Sequence, residues 1–138
     1  VDTMFGETTV LESGLKDGIP LIMLHGGGGN STMWRFNIAE LSKNFRVFLV
    51  DIVGEAGRSA DEHLSLKTDA YSEWLKELIQ KLSLKKPNIC GASLGGMLGL
   101  NFGLKYPNDA SSLVLLAPPN FLLCAHLYFH LNFSKNIF

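Results

Sequence analysis

Cysteine is scarce. Cys90 and Cys124 are the only two in 138 residues, and no CxxC or Cys/His spacing accompanies them, so neither a disulfide framework nor a zinc or other metal site is expected. An excess of positive charge is missing as well: twelve Lys plus Arg face thirteen Asp plus Glu, a formal net charge of −1. No basic field is left to hold a phosphate backbone or an anionic membrane face, which argues against nucleic acid as a partner. No apolar run approaches the roughly 18–20 residues needed to span a bilayer, and Val1-Asp2-Thr3 lacks the charged and apolar regions of a signal peptide. A cytoplasmic chain without a membrane partner is therefore expected. The residues that are present, 46% hydrophobic and 18% charged, are those of one ordinary globular domain rather than a disordered chain.

Four short apolar runs end in Gly, Asp or Pro or lead into such a residue: Leu21-Ile22-Met23-Leu24, Val47-Phe48-Leu49-Val50, Asn88-Ile89-Cys90 and Leu113-Val114-Leu115-Leu116. Runs without polar alternation suit strands buried on both faces, the condition of a parallel sheet covered by helices. Between them lie helical patterns. Tyr71, Trp74, Leu75, Leu78, Ile79 and Leu82 recur at three- and four-residue steps and predict a helix over 68–83, with Asp69 in its first turn and Pro87 beyond its end. A second helix is expected from Ser31 or Thr32 to Lys43, burying Met33, Trp34, Ile38 and Leu41, and a third from Leu94 to just before Pro107. Upstream, 3–7 and 8–13 are expected to form an antiparallel pair around Gly6 and Gly14. The fold class is α/β: a mostly parallel sheet flanked by helices, with right-handed crossovers and no internal repeat. Residues 1–119 form the core in this reading, and 120–138 an apolar tail.

Ligands of open α/β sheets bind beyond the carboxyl ends of the strands, so the residues after each run matter most. The third run leads into Gly91-Ala92-Ser93-Leu94-Gly95-Gly96, a G-x-S-x-G between strand and helix. A serine on such a sharp turn is held in a strained conformation with its hydroxyl exposed, and the flanking glycines allow close chain passage. The N–H of Leu94 heads the following helix, where unpaired amides and the helix dipole favour negative charge. The first run ends in His25-Gly26-Gly27-Gly28-Gly29-Asn30, a backbone able to turn amides inward. Gly27 N–H is the expected second oxyanion donor, with Gly28 as fallback; loss of one such donor typically costs about 3–4 kcal/mol of transition-state stabilisation. A dinucleotide loop is the rival reading of these glycines, but the third glycine of G-x-G-x-x-G would fall at Ser31.

His25-Gly26-Gly27-Gly28, then Asp51-Ile52-Val53-Gly54 with Gly57-Arg58-Ser59, then Gly91 to Gly96, together resemble the α/β-hydrolase superfamily, and within it the bacterial carboxylesterase-like group. The resemblance covers residues 5–119. It implies Ser93 as nucleophile, Leu94 and Gly27 as the catalytic oxyanion donors, a small-molecule ester or related acyl substrate, and no cofactor. Two departures stand out. The loop after the second run carries one residue more than D-x-x-G-x-G-x-S, and the triad's later members are not evident. In the family the acid and then the histidine follow the nucleophile. After Asp109 there is no Asp or Glu, Asp109 itself precedes the last strand at the end away from the site, and only His126 and His130 follow Ser93.

The chain therefore resembles the N-terminal half of a hydrolase, truncated after the strand that follows the nucleophile helix. Alone it is expected to be nearly inactive, since loss of a triad histidine costs on the order of 10⁶-fold in kcat. The tail, with Phe121, Leu122, Leu123, Leu127 and Phe129, is expected to begin a cap, to be a non-native ending, or to cover the sheet edge beside Leu113–Leu116. A non-catalytic domain that binds a ligand, or self-associates through that edge and tail, is the alternative. His25 and Asp51 are expected to organise loops, His63 to be solvated and Cys90 to be an inert buried thiol.

Overall fold

The computed structural model describes residues 1–119; the expectations for the apolar tail lie outside them. In chain order the elements are β1 (Asp2–Thr3), β2 (Gly6–Glu7), β3 (Val10–Gly14), β4 (Ile19–Leu24), a 3₁₀ turn (Ser31–Trp34), α1 (Ile38–Leu41), β5 (Phe45–Val50), α2 (Ala70–Lys81), β6 (Asn88–Ala92), α3 (Leu94–Lys105) and β7 (Ser112–Leu116). The main sheet has the order β3-β5-β4-β6-β7, with β3 antiparallel and the rest parallel. The expected strand-helix alternation is borne out over all four apolar runs.

The sheet is apolar on both faces because it is covered on both. Ile22, Leu24, Phe48, Val50 and Ile89 pack against α2 and α3 through Trp74, Leu75, Leu78, Leu98 and Phe102. Leu21, Met23, Val47, Leu49 and Cys90 point the other way, to Trp34, with Ile38 and Leu41 alongside. Parallel strands demand crossovers, and a single hand of crossover puts a helix on one face when the chain moves one way along the sheet and on the other when it reverses. From β4 the chain moves to β5; from β5 it returns past β4 to β6 and then β7. The reversal lies between β4 and β6, so the loops leaving those two strands diverge and open a crevice.

α3 approaches β6 and β7 closely because glycines stand at the positions that face those strands, while Leu98 and Phe102 pack into the core beside them. A methyl built on Gly99 would lie 3.4 Å from Ile89 Cγ2, and one on Gly103 only 2.5 Å from Leu113 Cδ1. On β7, Leu113 faces this helix, whereas Val114 and Leu116 are exposed among the described residues. No helix among them is long and apolar enough to cross a membrane.

Two expectations are corrected. Residues 3–7 do not pair with 8–13: Thr3 and Gly6 close their own hairpin, where Gly6 adopts a positive φ of 102°, and β3 instead extends the main sheet along β5, with Val10 opposite Val50. The second helix is broken into the 3₁₀ turn and the single turn α1. The Asn30 side chain accepts the Thr32 N–H, and Arg35 and Asn37 bond three residues back, so the segment winds too tightly for an α-helix. Trp34 is buried as expected, but Met33 is exposed.

Trp74 is fully buried between α2 and the sheet, and its Nε1–H donates to the buried Thr8 hydroxyl at 2.9 Å. Trp74→Ala is expected to destabilise the fold by about 3–5 kcal/mol in urea denaturation. A loss below about 1 kcal/mol would show that this contact is not central to the core.

Candidate active site

The third apolar run delivers Ser93 to the corner between β6 and α3. Its backbone stands at φ 49°, ψ −114°, in positive-φ space that is strained for a residue with a side chain. The corner is locked from several sides. Ser93 N–H donates to Leu116 O on β7 at 2.8 Å, and Gly95 N–H donates to His25 O at 3.1 Å. The flanking glycines have no room for a side chain: a methyl on Gly91 would lie 2.2 Å from Gly95 O, and one on Gly95 would lie 2.4 Å from Leu24 O. Ser93 is exposed, and among the described residues no group hydrogen-bonds its hydroxyl.

The glycine loop after β4 sits against this corner. A methyl on Gly26 would be 3.5 Å from Ser93 Cβ, and one on Gly27 would be 3.7 Å from Leu94 Cβ. The structure therefore brings together the three residues singled out from the sequence, Ser93, Leu94 and Gly27. Among the described residues, neither the Leu94 nor the Gly27 N–H has an acceptor. Gly28, the fallback donor, is already committed: its N–H donates to Glu55 Oε2 at 2.5 Å. An exposed hydroxyl beside two unpaired amides can attack a carbonyl carbon and receive the resulting oxyanion.

His25 is fully buried and occupied at both ring nitrogens. Nε2 accepts the Ile52 N–H at 2.9 Å, so Nδ1 carries the proton and donates to Gly26 O at 2.8 Å. It holds the glycine loop, as expected, and neither nitrogen is free to act as a base. Asp51 likewise organises loops. Its carboxylate accepts Ser31 N–H at 2.7 Å and Arg58 N–H at 3.0 Å, tying the segment after β4 to the one after β5. Burial pushes the Asp51 carboxyl up, but hydrogen bonds from Ser31 and Arg58 outweigh it and hold it below the usual carboxylate range. Burial pushes the Cys90 thiol up, as an inert thiol requires. Asp109 pairs with Lys76 on α2.

The residue that sequence reasoning missed is Glu55. It lies in the Gly54–Gly57 loop after β5, whose one-residue lengthening was legible; the reach of its carboxylate back to Gly28 was not. A recess of about 260 Å³, lined by Asn30, Ser31, Thr32, Asp51 and Arg58 among others, includes neither Ser93 nor Leu94.

A family model described as alpha/beta hydrolase fold matches residues 19–133. The Bacillus subtilis protein named uncharacterized carboxylesterase nap is 38% identical over 130 residues, covering 94% of this chain and 43% of its own length. Carboxylesterase YbfK of the same organism is 36% identical over 126 residues, with 91% and 43% covered. The crystal structure of naproxen esterase from Bacillus subtilis superposes with a TM-score of 0.80 at 41% identity, over 86% of this chain and 41% of that one. The chain thus spans less than half the length of the relatives it matches.

Two measurements check this geometry. Because the folded-state pKa of Asp51 is depressed, its contribution to stability is fully present above the unfolded value near about 3.9 and fades as pH falls through the lower folded value. Asp51→Asn should therefore flatten the acid limb of a stability–pH curve below about pH 4; an unchanged acid limb would exclude this role. Ser93→Gly relieves the positive φ and is expected to raise stability by about 1 kcal/mol. Equal or lower melting temperature would mean that the corner is not strained.

Proposed function

The chain belongs to the α/β-hydrolase fold family, and from that membership we propose that it is the nucleophile-bearing part of a serine hydrolase of the carboxylesterase kind, acting on a small ester. The observation that carries this reading is the corner at Ser93: an exposed hydroxyl at φ 49° between a buried strand and a helix, beside two N–H groups without acceptors among the described residues.

In the proposed mechanism Ser93 Oγ attacks the ester carbonyl carbon while its proton passes to a histidine base. The carbonyl oxygen becomes an oxyanion held by the N–H groups of Leu94 and Gly27. Collapse expels the alcohol, which takes the proton from the histidinium, and water then hydrolyses the acyl-serine by the same sequence. No step requires a cofactor. The histidine and its carboxylate partner would come from polypeptide outside the described residues, as the family's Ser-acid-His order implies. A cytoplasmic setting is part of the same proposal.

Two observations favour a second, non-catalytic reading. No group among the described residues hydrogen-bonds the Ser93 hydroxyl, and one side of β7 has no strand partner there, with Val114 and Leu116 exposed. A chain of this kind would bind a ligand or pair through β7 with a second copy.

A fluorophosphonate probe and a short-chain nitrophenyl ester separate the two. The expected result is Ser93-dependent ester turnover on the order of 10⁶-fold below that of a complete triad, with covalent labelling correspondingly slow, seen only on prolonged incubation and abolished by Ser93→Ala. Equal labelling of both chains would falsify the nucleophile assignment. Labelling of neither supports the non-catalytic reading.

A further inference from the structure

We propose that Glu55 determines the charge of the acyl group this site accepts, excluding acyl chains that carry a negative charge near the reacting carbonyl; the inference rests on the site assigned under Proposed function. Two observations place its carboxylate at the oxyanion loop. Oε2 accepts the Gly28 N–H at 2.5 Å. The same oxygen lies 4.0 Å from where a methyl on Gly27 would stand, and the Leu94 side chain packs 3.7 Å from that point.

The position is built rather than incidental. Glu55 N–H bonds to Ile52 O at 3.1 Å, Gly57 N–H bonds to Glu55 O at 2.7 Å, and Asn30 Nδ2 holds Ala56 O at 2.9 Å, so the loop presents the side chain from an anchored backbone. Among the described residues no cation forms an ion pair with this carboxylate. Its charge is therefore left to act on what enters the site. A carboxylate next to a donor for an oxyanion is useful only if it holds the donor loop in place, and it does so through Gly28. An incoming second anion meets a like charge beside the glycine loop, and the two repel. A neutral or cationic acyl chain meets no such barrier.

The test uses the full 138-residue chain and two nitrophenyl esters of matched acyl length, one ending in a methyl group and the other in a carboxylate. Glu55→Gln keeps a carbonyl acceptor for Gly28 while removing the charge. The wild type is expected to react with the neutral ester about tenfold or more in preference to the anionic one, Ser93-dependently, and the variant to lose most of that preference. An unchanged preference overturns the proposal. In parallel, amide resonances of Gly27 and Gly28 are followed by ¹⁵N NMR during titration with butyramide and with succinamate, unreactive amides of a neutral and an anionic acyl group. The wild type should respond to the neutral amide at about tenfold lower concentration than to the anionic one, and Glu55→Gln to both alike; an equal response of the wild type to the two amides also overturns it. Failure of any Ser93-dependent reaction counts against the hydrolase reading alone, and the amide titration then decides the role of Glu55.

Discussion

The site depends on a close approach of backbone to backbone. Gly91 and Gly95 lie so tightly against one another and against Leu24 that no side chain fits at either position, and the turn between them, centred on Ser93, is confined. Ser93 takes a positive φ because the strand must turn into α3 within one residue, and the hydrogen bonds from Ser93 N to Leu116 O and from Gly95 N to His25 O keep it there. Strain of this kind persists only where the surroundings over-determine it. Here three strands, β4, β6 and β7, each contribute to the constraint.

The second layer of organisation is polar and buried. His25 and Asp51 each end a parallel strand, and each spends its side chain on backbone groups of a neighbouring segment rather than on a ligand. Buried polar groups must be paired, and these two are paired with the loops that border Ser93. The glycine cluster is therefore less free than its composition suggests: Gly26 O is held by His25, and Gly28 N by Glu55. What is left unpaired among the described residues is the Gly27 and Leu94 amides, and it is these that the serine adjoins.

Much of this was legible in the sequence, for physical reasons. Apolar runs such as Leu21–Leu24 and Val47–Val50 announce strands buried on both faces, and the Tyr71–Leu82 stripe announces the helix that covers them. The elbow was legible because its two glycines are a steric requirement. Pairing of the short N-terminal segments was not, because 3–7 and 8–13 carry little hydrophobic pattern and their partners are chosen by the open edge of β5. The second helix failed for a local reason, the Asn30 side chain competing for backbone donors. Glu55 was invisible as a participant because a long exposed side chain can point anywhere until the loop that carries it is folded.

The close seating of α3 has a consequence for how such a protein can change. With glycines at 96, 99 and 103 seated against β6 and β7 and with Leu98 and Phe102 locked in the core, the helix has no slack to fill; it is a fixed axle. A new environment for the serine cannot arise by sliding that axle. It has to be grafted onto the spokes, the loops that leave β4 and β5, where a residue such as Glu55 alters the surroundings of the glycine loop without moving the corner.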